Sequence, residues 1–420
     1  MDESAMQPGK IESTTDEAIQ SEVSSAKNAG GVSGRLLSID AFRGLVMFLM
    51  LAEILRLHRL AEQYPGNAFF EWVSFHTSHV AWEGCSLHDL IQPAFTFLVG
   101  VSMPFSIASR LKRGSSVASM LLHAAWRAFL LVALGIILRS LHSERTYFTF
   151  EDTLTQIGLG YFFAFLVALA PRWVHYASAF GILLVFWGAF AATPAPPAEF
   201  DYPAVGVPED WPHHYEGFAS RWNKNSNLSW QVDKWFLNLF PREEPFEFNS
   251  GGYSTLSFIP TLGTMLFGLL AGVWLRERRG ATAVGVRFGL AAVIGIASGW
   301  LLSEFGVCPL VKKIWTPSFA LYSGGICMAW LYALHWVCDE KKWNGWEFPF
   351  LVIGSNSILI YVMSWTIAEP IKEMILRHMK DTPLALLGEA IAKPFAGAAT
   401  LAILFAMLLW LYRRKAFVKI

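Results

Sequence analysis

The chain has few charged residues, few cysteines and no surplus of either charge. Charged residues make up 16% of its 420 residues, whereas soluble domains carry about a quarter. Basic and acidic residues are equal in number, 33 of each, which excludes the strongly basic balance typical of nucleic-acid binding. The four cysteines show no C-x-x-C spacing, which excludes the commonest zinc and redox motifs. We therefore expect no metal site and no nucleic-acid partner.

The first 34 residues also lack what a folded segment needs. They contain no aromatic residue and are rich in Ser, Glu, Ala and Gly, so they cannot bury enough apolar surface to become ordered. No basic segment leads into a short apolar stretch, which argues against a signal peptide. We expect residues 1–34 to be a disordered cytoplasmic tail and residues 35–420 to form one domain.

Long apolar runs are abundant in the rest of the chain. Hydrophobic residues make up 54% of the sequence, with 33 Phe and 18 Trp. A helix needs about 20 mostly apolar residues to cross the hydrocarbon core of a bilayer. The sequence predicts an all-α, polytopic integral membrane helix bundle of about ten transmembrane helices. The expected spans are 36–57, 86–109, 119–140, 152–170, 174–193, 255–276, 283–303, 316–338, 347–369 and 395–413.

Basic residues in the short loops predict the orientation. With the N-terminus inside, the inner loops are short and densely basic, whereas most outer segments are sparser or longer. We therefore expect a multi-pass protein with both termini in the cytoplasm. A large extracytoplasmic loop, residues 194–254, gathers Trp, Tyr, His, Asn and acidic residues, a composition suited to binding a polar ligand.

Ionisable residues inside predicted spans are costly and are candidates for function. Asp40 and Arg43 lie three residues apart in the first span, so they share a helix face and can pair. They form either a helix-end ion pair, with Arg35 reaching the membrane interface, or a binding site for a phosphorylated cytosolic ligand. Glu53 lies 13 residues beyond Asp40, which places it about 20 Å further along the helix, near the outer end.

Histidines and carboxylates gather at the same outer depth. The second span runs inward, so Asp89 at its start also lies near the outer face, together with Glu53. His76, His79 and His88 surround this position, and a histidine beside a carboxylate can act as a general base near neutral pH. The residue pattern alone does not rank the three, and each is equally consistent with an interfacial histidine.

Five motifs, in order, resemble the heparan-α-glucosaminide N-acetyltransferase family. They are RLLSIDAFRGL (35–45) with HVAWEG (79–84), DLIQPAFTFLVG (89–100), LTQIGLGYFF (154–163), PLVKKIWTPSF (309–319) and GSNSILIY (354–361). The fourth is similar to the family's P-x-x-K-x-x-W-[ST]-x-S motif, with Pro309, Lys312, Trp315 and Ser318 matching. The fifth is similar to its G-x-N-[SPA] helix, with Asn356 matching.

The resemblance implies a transmembrane acyltransferase. Family members pass the acetyl group of cytosolic acetyl-CoA to a glucosamine amine on the other side of the membrane. The family's active-site histidine matches His79, which acts as an acetyl carrier or as a general base, with Asp89 or Glu53 orienting it. Acetyl-CoA is then expected at an inner basic group and the amino sugar or glycan at an outer group. The inner group is Arg35, Asp40, Arg43, Arg110 and Arg113; the outer group is Trp82, Lys312, Trp315, Ser318 and Asn356.

The chain also departs from the family pattern. An asparagine late in the family's first catalytic helix is replaced near Glu53, and a histidine after the G-x-N helix is replaced near Ser364. The resemblance is to a bacterial-type member in a cytoplasmic (inner) membrane, and family members are often homodimers. The alternatives are a transporter or glycan-lipid flippase without acyl transfer, and transfer of another acyl group to a hydroxyl. A Cys85–Cys308 disulfide would be compatible with the predicted topology.

Overall fold

The computed structural model describes residues 36–277, 280–343, 345–379 and 388–418. The expected tail, residues 1–34, and the expected CoA ligand Arg35 lie outside the described residues. Fifteen α-helices are described: α1 Leu37–Leu51, α2 Leu60–Gln63, α3 Ala68–His76, α4 Ile91–Lys112, α5 Val117–Arg139, α6 Thr153–Ala168, α7 Arg172–Ala192, α8 Leu228–Phe236, α9 Phe258–Arg276, α10 Ala281–Glu304, α11 Pro317–Leu334, α12 Phe348–Ser355, α13 Ser357–Thr366, α14 Ala368–Met379 and α15 Gly388–Arg413.

Shorter helical turns join several of these helices. They are the 3-10 turns Ala52–Leu55, Leu57–Arg59, His88–Leu90, Pro203–Val205, Gly217–Trp222, Leu237–Leu239 and Thr255–Ser257, and the π-helical segment His335–Glu340. In the part of the chain that the structure describes, β-structure is limited to one isolated antiparallel bridge, between Glu83 and Val311. The expected all-α class is confirmed.

The expected number of ten spans is not confirmed. Within the described residues, six helices are long and apolar enough to cross a membrane, or seven if the bent pair α12–α13 counts as one span. The six correspond to α4, α5, α7, α9, α10 and α15. Of the four other expected spans, α1 has only 15 residues, which rise about 22 Å and fall short of the roughly 30 Å hydrocarbon core. The expected span 347–369 is bent by 77° at Asn356.

The pair α4–α9 forms the centre of the helix bundle. In their apolar windows 61% and 78% of residues are buried, whereas only 17% are buried in α10. The two helices approach closely because Gly100 faces the Met265 carbonyl and Gly268 faces the Phe97 carbonyl, where a side chain would not fit. The remaining long helices, α5, α7, α10 and α15, keep much of their apolar surface outside this core, as lipid-facing helices do.

Most of the expected outer loop, residues 194–254, is packed against the helix ends. The end of α7 and the 3-10 turn Gly217–Trp222 enclose a buried aromatic cluster that contains Phe186, Phe190, Trp222 and Trp82. Arg221 Nε donates to the Thr193 carbonyl at 3.0 Å, and Asp233 Oδ2 in α8 accepts from the Thr255 amide at 2.8 Å. These contacts fix the segment at the end of α7 and at the start of α9.

Candidate active site

A cavity of about 390 Å³ lies at the end of the bundle where α1 ends and α4 begins. Its walls come from segments far apart in the sequence. They include Val46, Met47, Met50, Leu51, Glu53 and Arg56 near α1, His79, His88, Ile91, Gln92 and Phe95 near α4, Arg139, Glu151, Asp152 and Thr153 between α5 and α6, and Tyr253, Lys312, Tyr361, Ser364, Trp365, Glu369 and Leu404. The cavity is therefore lined by charged and aromatic side chains at one end and by apolar side chains along α1.

His79 is held at this cavity by a folded loop between α3 and α4. Its Nδ1 lies 2.7 Å from Asp89 Oδ1. Asp89 is 1% exposed, and its Oδ2 accepts hydrogen bonds from the Val80 amide and from the Ser86 amide and hydroxyl. The Ser86 hydroxyl also contacts the Ser78 carbonyl at 2.7 Å. The loop thus closes around Asp89, and one Asp89 oxygen remains directed at the imidazole of His79.

Lys312 approaches the same imidazole from a distant part of the chain. It is 5% exposed, and its Nζ lies 3.0 Å from His79 Nδ1 and 3.4 Å from Asp89 Oδ1. The tight turn that presents Lys312 is closed by a hydrogen bond from the Trp315 amide to the Lys312 carbonyl, with Trp315 in the left-handed backbone region at φ 49°. The Gly84 amide donates to the Leu310 carbonyl, which ties this turn to the His79 loop.

The electrostatic surroundings favour a neutral imidazole at His79. Burial lowers the pKa of His79, the hydrogen bond with Asp89 opposes this, and the Lys312 charge lowers it further. Burial also lowers the pKa of Lys312, against the opposing effect of Asp89. An imidazole whose Nδ1–H donates to a carboxylate carries its lone pair on Nε2. His79 is therefore prepared to act through Nε2 as a base or a nucleophile.

Glu53 and His88 belong to the same group but contact each other rather than Asp89. The Glu53 carboxylate lies 3.9 Å from His88 Nε2, and its side chain is 64% exposed. The rings of His79 and His88 lie 4.3 Å apart between centroids. His76 lies off the cavity, where its Nδ1 accepts from the Leu87 amide. The structure therefore separates the three histidines that the residue pattern could not rank: two line the cavity.

The expected CoA ligands lie towards the other end of the bundle. Asp40 and Arg43 pair at 3.1 Å on α1, and Arg43 also donates to the Ser102 hydroxyl of α4 at 3.1 Å. Arg110 is half-buried, and Arg113 is exposed, with its Nε donating to the Ser109 carbonyl. Asp89 and these two arginines lie at opposite ends of α4. Their contact with acetyl-CoA stays a prediction.

Four of the expected substrate ligands are enclosed in protein and do not line the cavity. Trp82 lies in the aromatic cluster under the outer segment, and Trp315 Nε1 donates to Thr264 Oγ1. The Ser318 hydroxyl donates to the Pro309 carbonyl at 2.7 Å. Asn356 bonds the backbone of residues 416 and 418 through both ends of its amide. Of the outer group, only Lys312 lines the cavity, and the expected contacts of the other four with substrate stay predictions.

A second polar wall of the cavity was missed by reasoning from the sequence. It consists of Arg139 at the end of α5, Glu151 and Asp152 before α6, and the phenol of Tyr253. The acidic pair stands at the start of an expected span, where charge is costly, and this was the available signal. Burial raises the pKa of Glu151, which the Arg139 charge opposes, and burial raises the pKa of Tyr253 to about 12.

The cysteines and acidic groups give little sign of other chemistry. Cys85 and Cys308 are both free thiols, so the suggested disulfide is absent. Burial raises the pKa of both thiols, which makes them poor nucleophiles. Among the described residues, no group of three or more His, Cys, Asp or Glu side chains is arranged to hold a metal ion.

Fold and cavity together define a polytopic helical membrane protein with a histidine–carboxylate–lysine group at one end of its bundle. Two curated relatives, both named heparan-alpha-glucosaminide N-acetyltransferase, are 25% identical to the chain. The match to the Homo sapiens protein covers 376 residues, 78% of this chain and 52% of that protein. The match to the Mus musculus protein covers 402 residues, 83% and 58% respectively. Similarity over about four fifths of the chain supports its membership of the heparan-alpha-glucosaminide N-acetyltransferase family.

The extent of these matches limits what is transferred from them. The chain spans about half the length of the curated relatives it matches. No protein-family model matches the chain. The cavity of this chain is therefore the basis for the activity proposed below.

Proposed function

We propose that this protein is a transmembrane N-acetyltransferase that moves an acetyl group from cytosolic acetyl-CoA to the amine of an amino sugar or glycan on the extracytoplasmic side. The observation that carries the proposal is the His79 imidazole, bonded to buried Asp89 at 2.7 Å and exposed to a cavity large enough for a sugar ring and an acyl arm. The family relationship supports the same reaction class.

The chemistry needs a base or a nucleophile at this position. An ammonium group cannot attack a thioester, so a base must first take its proton. Alternatively, an imidazole accepts the acetyl group and passes it on. In both routes Nε2 of neutral His79 reacts, Asp89 fixes the ring and stabilises the imidazolium, and Lys312 limits its protonation. His88 and Glu53, beside His79, are positioned to receive the released proton.

The proposed orientation places the two substrates at opposite ends of the bundle. Acetyl-CoA would approach near Asp40 and Arg43 from the cytoplasm, and its acyl arm would reach the cavity along α1. The acceptor would enter beside the packed outer segment. Both termini would be cytoplasmic in a cell inner membrane. An epitope tag after Ile420 should then be accessible in inside-out vesicles only, and a tag at exposed residues 198–199 in right-side-out vesicles only.

The reaction is tested with purified protein, acetyl-CoA and glucosamine, with CoA release and product mass as readouts. Wild type should form N-acetylglucosamine, His79→Gln should lose nearly all activity, and His76→Gln should keep it, because His76 lies off the cavity. Equal CoA release by wild type and His79→Gln would remove His79 from the mechanism. A burst of CoA release without acceptor would favour the acetyl-imidazole route.

The same preparation separates the enzyme from a transporter or flippase. An enzyme that binds CoA is stabilised against unfolding by CoA, because a ligand of the folded state raises its stability. A carrier of glycans alone has no reason to show this shift. An ester in place of an amide in the product would instead indicate transfer to a hydroxyl group.

A further inference from the structure

The wall of the cavity formed by Arg139, Glu151, Asp152 and Tyr253, which we call the second wall, carries polar groups that the proposed reaction does not use. It shares the cavity with His79 and Lys312. Its members come from the end of α5, the segment before α6 and the segment before α9. Such convergence of distant polar groups on one cavity is typical of a ligand subsite.

Arg139 has hydrogen-bonding capacity left over. Its guanidinium lies 5.0 Å over the Trp365 ring, and its Nε is buried with no hydrogen-bond partner among the described residues. Glu151 and Asp152 are near enough to act on one another and on Arg139 electrostatically. No carboxylate of the described ranges lies within salt-bridge distance of Arg139, however. A buried donor without an acceptor costs about 1–3 kcal/mol, so a bound acceptor there would be favoured.

The carboxylates of Asp152 and Glu151 have different hydrogen-bond partners. Asp152 is the N-cap of α6, since its Oδ1 accepts from the Leu154 and Thr155 amides, and its Oδ2 lies 3.2 Å from the Thr155 hydroxyl. Glu151 accepts from the Thr149 hydroxyl and, at 3.4 Å, from Asn249 Nδ2, and it still lines the cavity. Both carboxylates line the cavity, but Asp152 also caps the helix, so Glu151 is the one with more capacity for a ligand.

The combination selects for a particular kind of ligand group. An anion on Arg139 would also face Glu151 and Asp152, which would repel it. A hydroxyl group can accept from a guanidinium and donate to a carboxylate at the same time. The phenol of Tyr253 and the ring of Trp365 add the aromatic surface against which a sugar ring packs.

We infer that Arg139 and Glu151 form the acceptor subsite, where they bridge ring hydroxyls of an uncharged stretch of the sugar and turn its amine towards His79. This inference rests on the proposed function. It names the substrate class more narrowly: an amino sugar that carries free hydroxyl groups, and no sulfate or carboxylate, at the ring positions that meet the second wall.

The test compares Arg139→Gln and Glu151→Gln with a matched control, Arg127→Gln. Arg127 lies on the same helix, stacks over Tyr161 at 4.8 Å and also has a buried Nε without a partner among the described residues, but it does not line the cavity. Loss of a hydrogen bond to a charged group should raise the KM for glucosamine about 10- to 100-fold in the two subsite variants. The control should stay within about twofold, as should the KM for acetyl-CoA in all variants.

Binding is also measured without turnover, by thermal stabilisation with glucosamine in the His79→Gln background. The shift should persist in that variant, disappear when Glu151→Gln is added, and be smaller with glucosamine 6-sulfate. If glucosamine stabilises His79→Gln but wild type forms no product, the subsite stands and the proposed reaction fails. If transfer occurs with unchanged glucosamine KM in both subsite variants, the inference is overturned and the proposed reaction stands. A thermal shift that survives Glu151→Gln also overturns the inference, and the transfer assay with wild type then decides the proposed reaction separately.

Discussion

Replacing the buried Asp89–Lys312 pair, singly and together, separates the stabilising role of these residues from their effect on catalysis. In Asp89→Asn, the amide oxygen should take the position of Oδ2, which accepts from the Val80 and Ser86 amides. The amide NH₂ group must then occupy the position of Oδ1. There it faces the Lys312 ammonium and His79 Nδ1, 3.4 Å and 2.7 Å away in the wild type.

The magnitude follows from burial. Lys312 is 5% exposed and would lose its counter-charge in Asp89→Asn, and breaking a buried ion pair on one side costs about 3–5 kcal/mol. In Lys312→Met, Asp89 keeps its hydrogen bonds to backbone and imidazole, so the loss should be smaller. The double variant removes both charges, which is close to neutral for buried pairs. The coupling energy between the two positions should therefore be at least about 3 kcal/mol in favour of the double variant.

Activity should behave differently from stability in this series. The side-chain amide introduced by Asp89→Asn would donate to His79 Nδ1 and so force the proton onto Nε2, where it blocks attack. A wrong imidazole tautomer lowers kcat by about 10⁴ in a Ser–His–Asp triad. The double variant should thus regain folding stability and remain inactive. Denaturant unfolding in detergent micelles gives the stability, and CoA release with glucosamine gives the activity. Additive destabilisation in the double variant, or recovered activity, would refute the reasoning.

Three further outcomes are expected. The rate of acetyl transfer should fall as the pH drops through the pKa of His79, which burial lowers below 6.5. Lys312→Met should move this acid limb of the pH–rate profile to higher pH, because the Lys312 charge also lowers the pKa of His79. An acid limb at the same pH in wild type and variant would contradict this effect of the Lys312 charge. Burial raises the pKa of Asp233 to about 7, so the folding stability should decline by about 3 kcal/mol between pH 4 and pH 7 as the folded state loses its proton. Unfolding of Asp233→Asn should lack this pH dependence, and a retained slope would assign it to another group. Gly44→Ala should cost about 1–3 kcal/mol of folding stability, because its methyl group would meet a carbonyl of α12. The control Gly181→Ala faces open space and should be near neutral in the same unfolding assay. Equal losses of stability in the two variants would contradict the close approach of α1 and α12.

The parts of the fold that could be predicted from the sequence depend on local patterns. Apolar runs of 20 residues or more are sufficient to define α4, α5, α7, α9, α10 and α15, which keep the length needed to span a bilayer. The count failed where tertiary structure shortens or bends a run. The apolar segment around Asn356 reads as one span, but that amide bonds the C-terminal backbone, and the helix turns by 77° there.

In the candidate site, too, local sequence patterns predict some features, and only the folded chain shows the others. The rise of 1.5 Å per residue predicts Glu53 near the outer end of the first span, at the depth expected for Asp89. In the structure Glu53 lines the cavity, and Asp89 is buried behind it in contact with His79. The matching motif singles out Trp315 and Ser318 but does not reveal what each contacts. In the structure the Trp315 amide bonds the Lys312 carbonyl and the Ser318 hydroxyl bonds the Pro309 carbonyl, so both stabilise the turn that presents Lys312. Arg139 and Tyr253 lie 114 residues apart in the sequence, so only the folded chain shows that they share a cavity.

The apolar floor of the cavity bears on how an acyl arm would reach His79. The cavity follows α1 inward as far as Val46, three residues, or about 4.5 Å of helix rise, from Arg43. There the Arg43 guanidinium joins α1 to Ser102 of α4. The residue expected to meet CoA phosphates therefore also links these two helices just beyond the apolar end of the cavity. A thioester arm that followed this face of α1 would have to displace the Arg43–Ser102 hydrogen bond, and phosphate is a stronger acceptor for a guanidinium than a serine hydroxyl. Binding of the nucleotide end and opening of the floor would then be the same event.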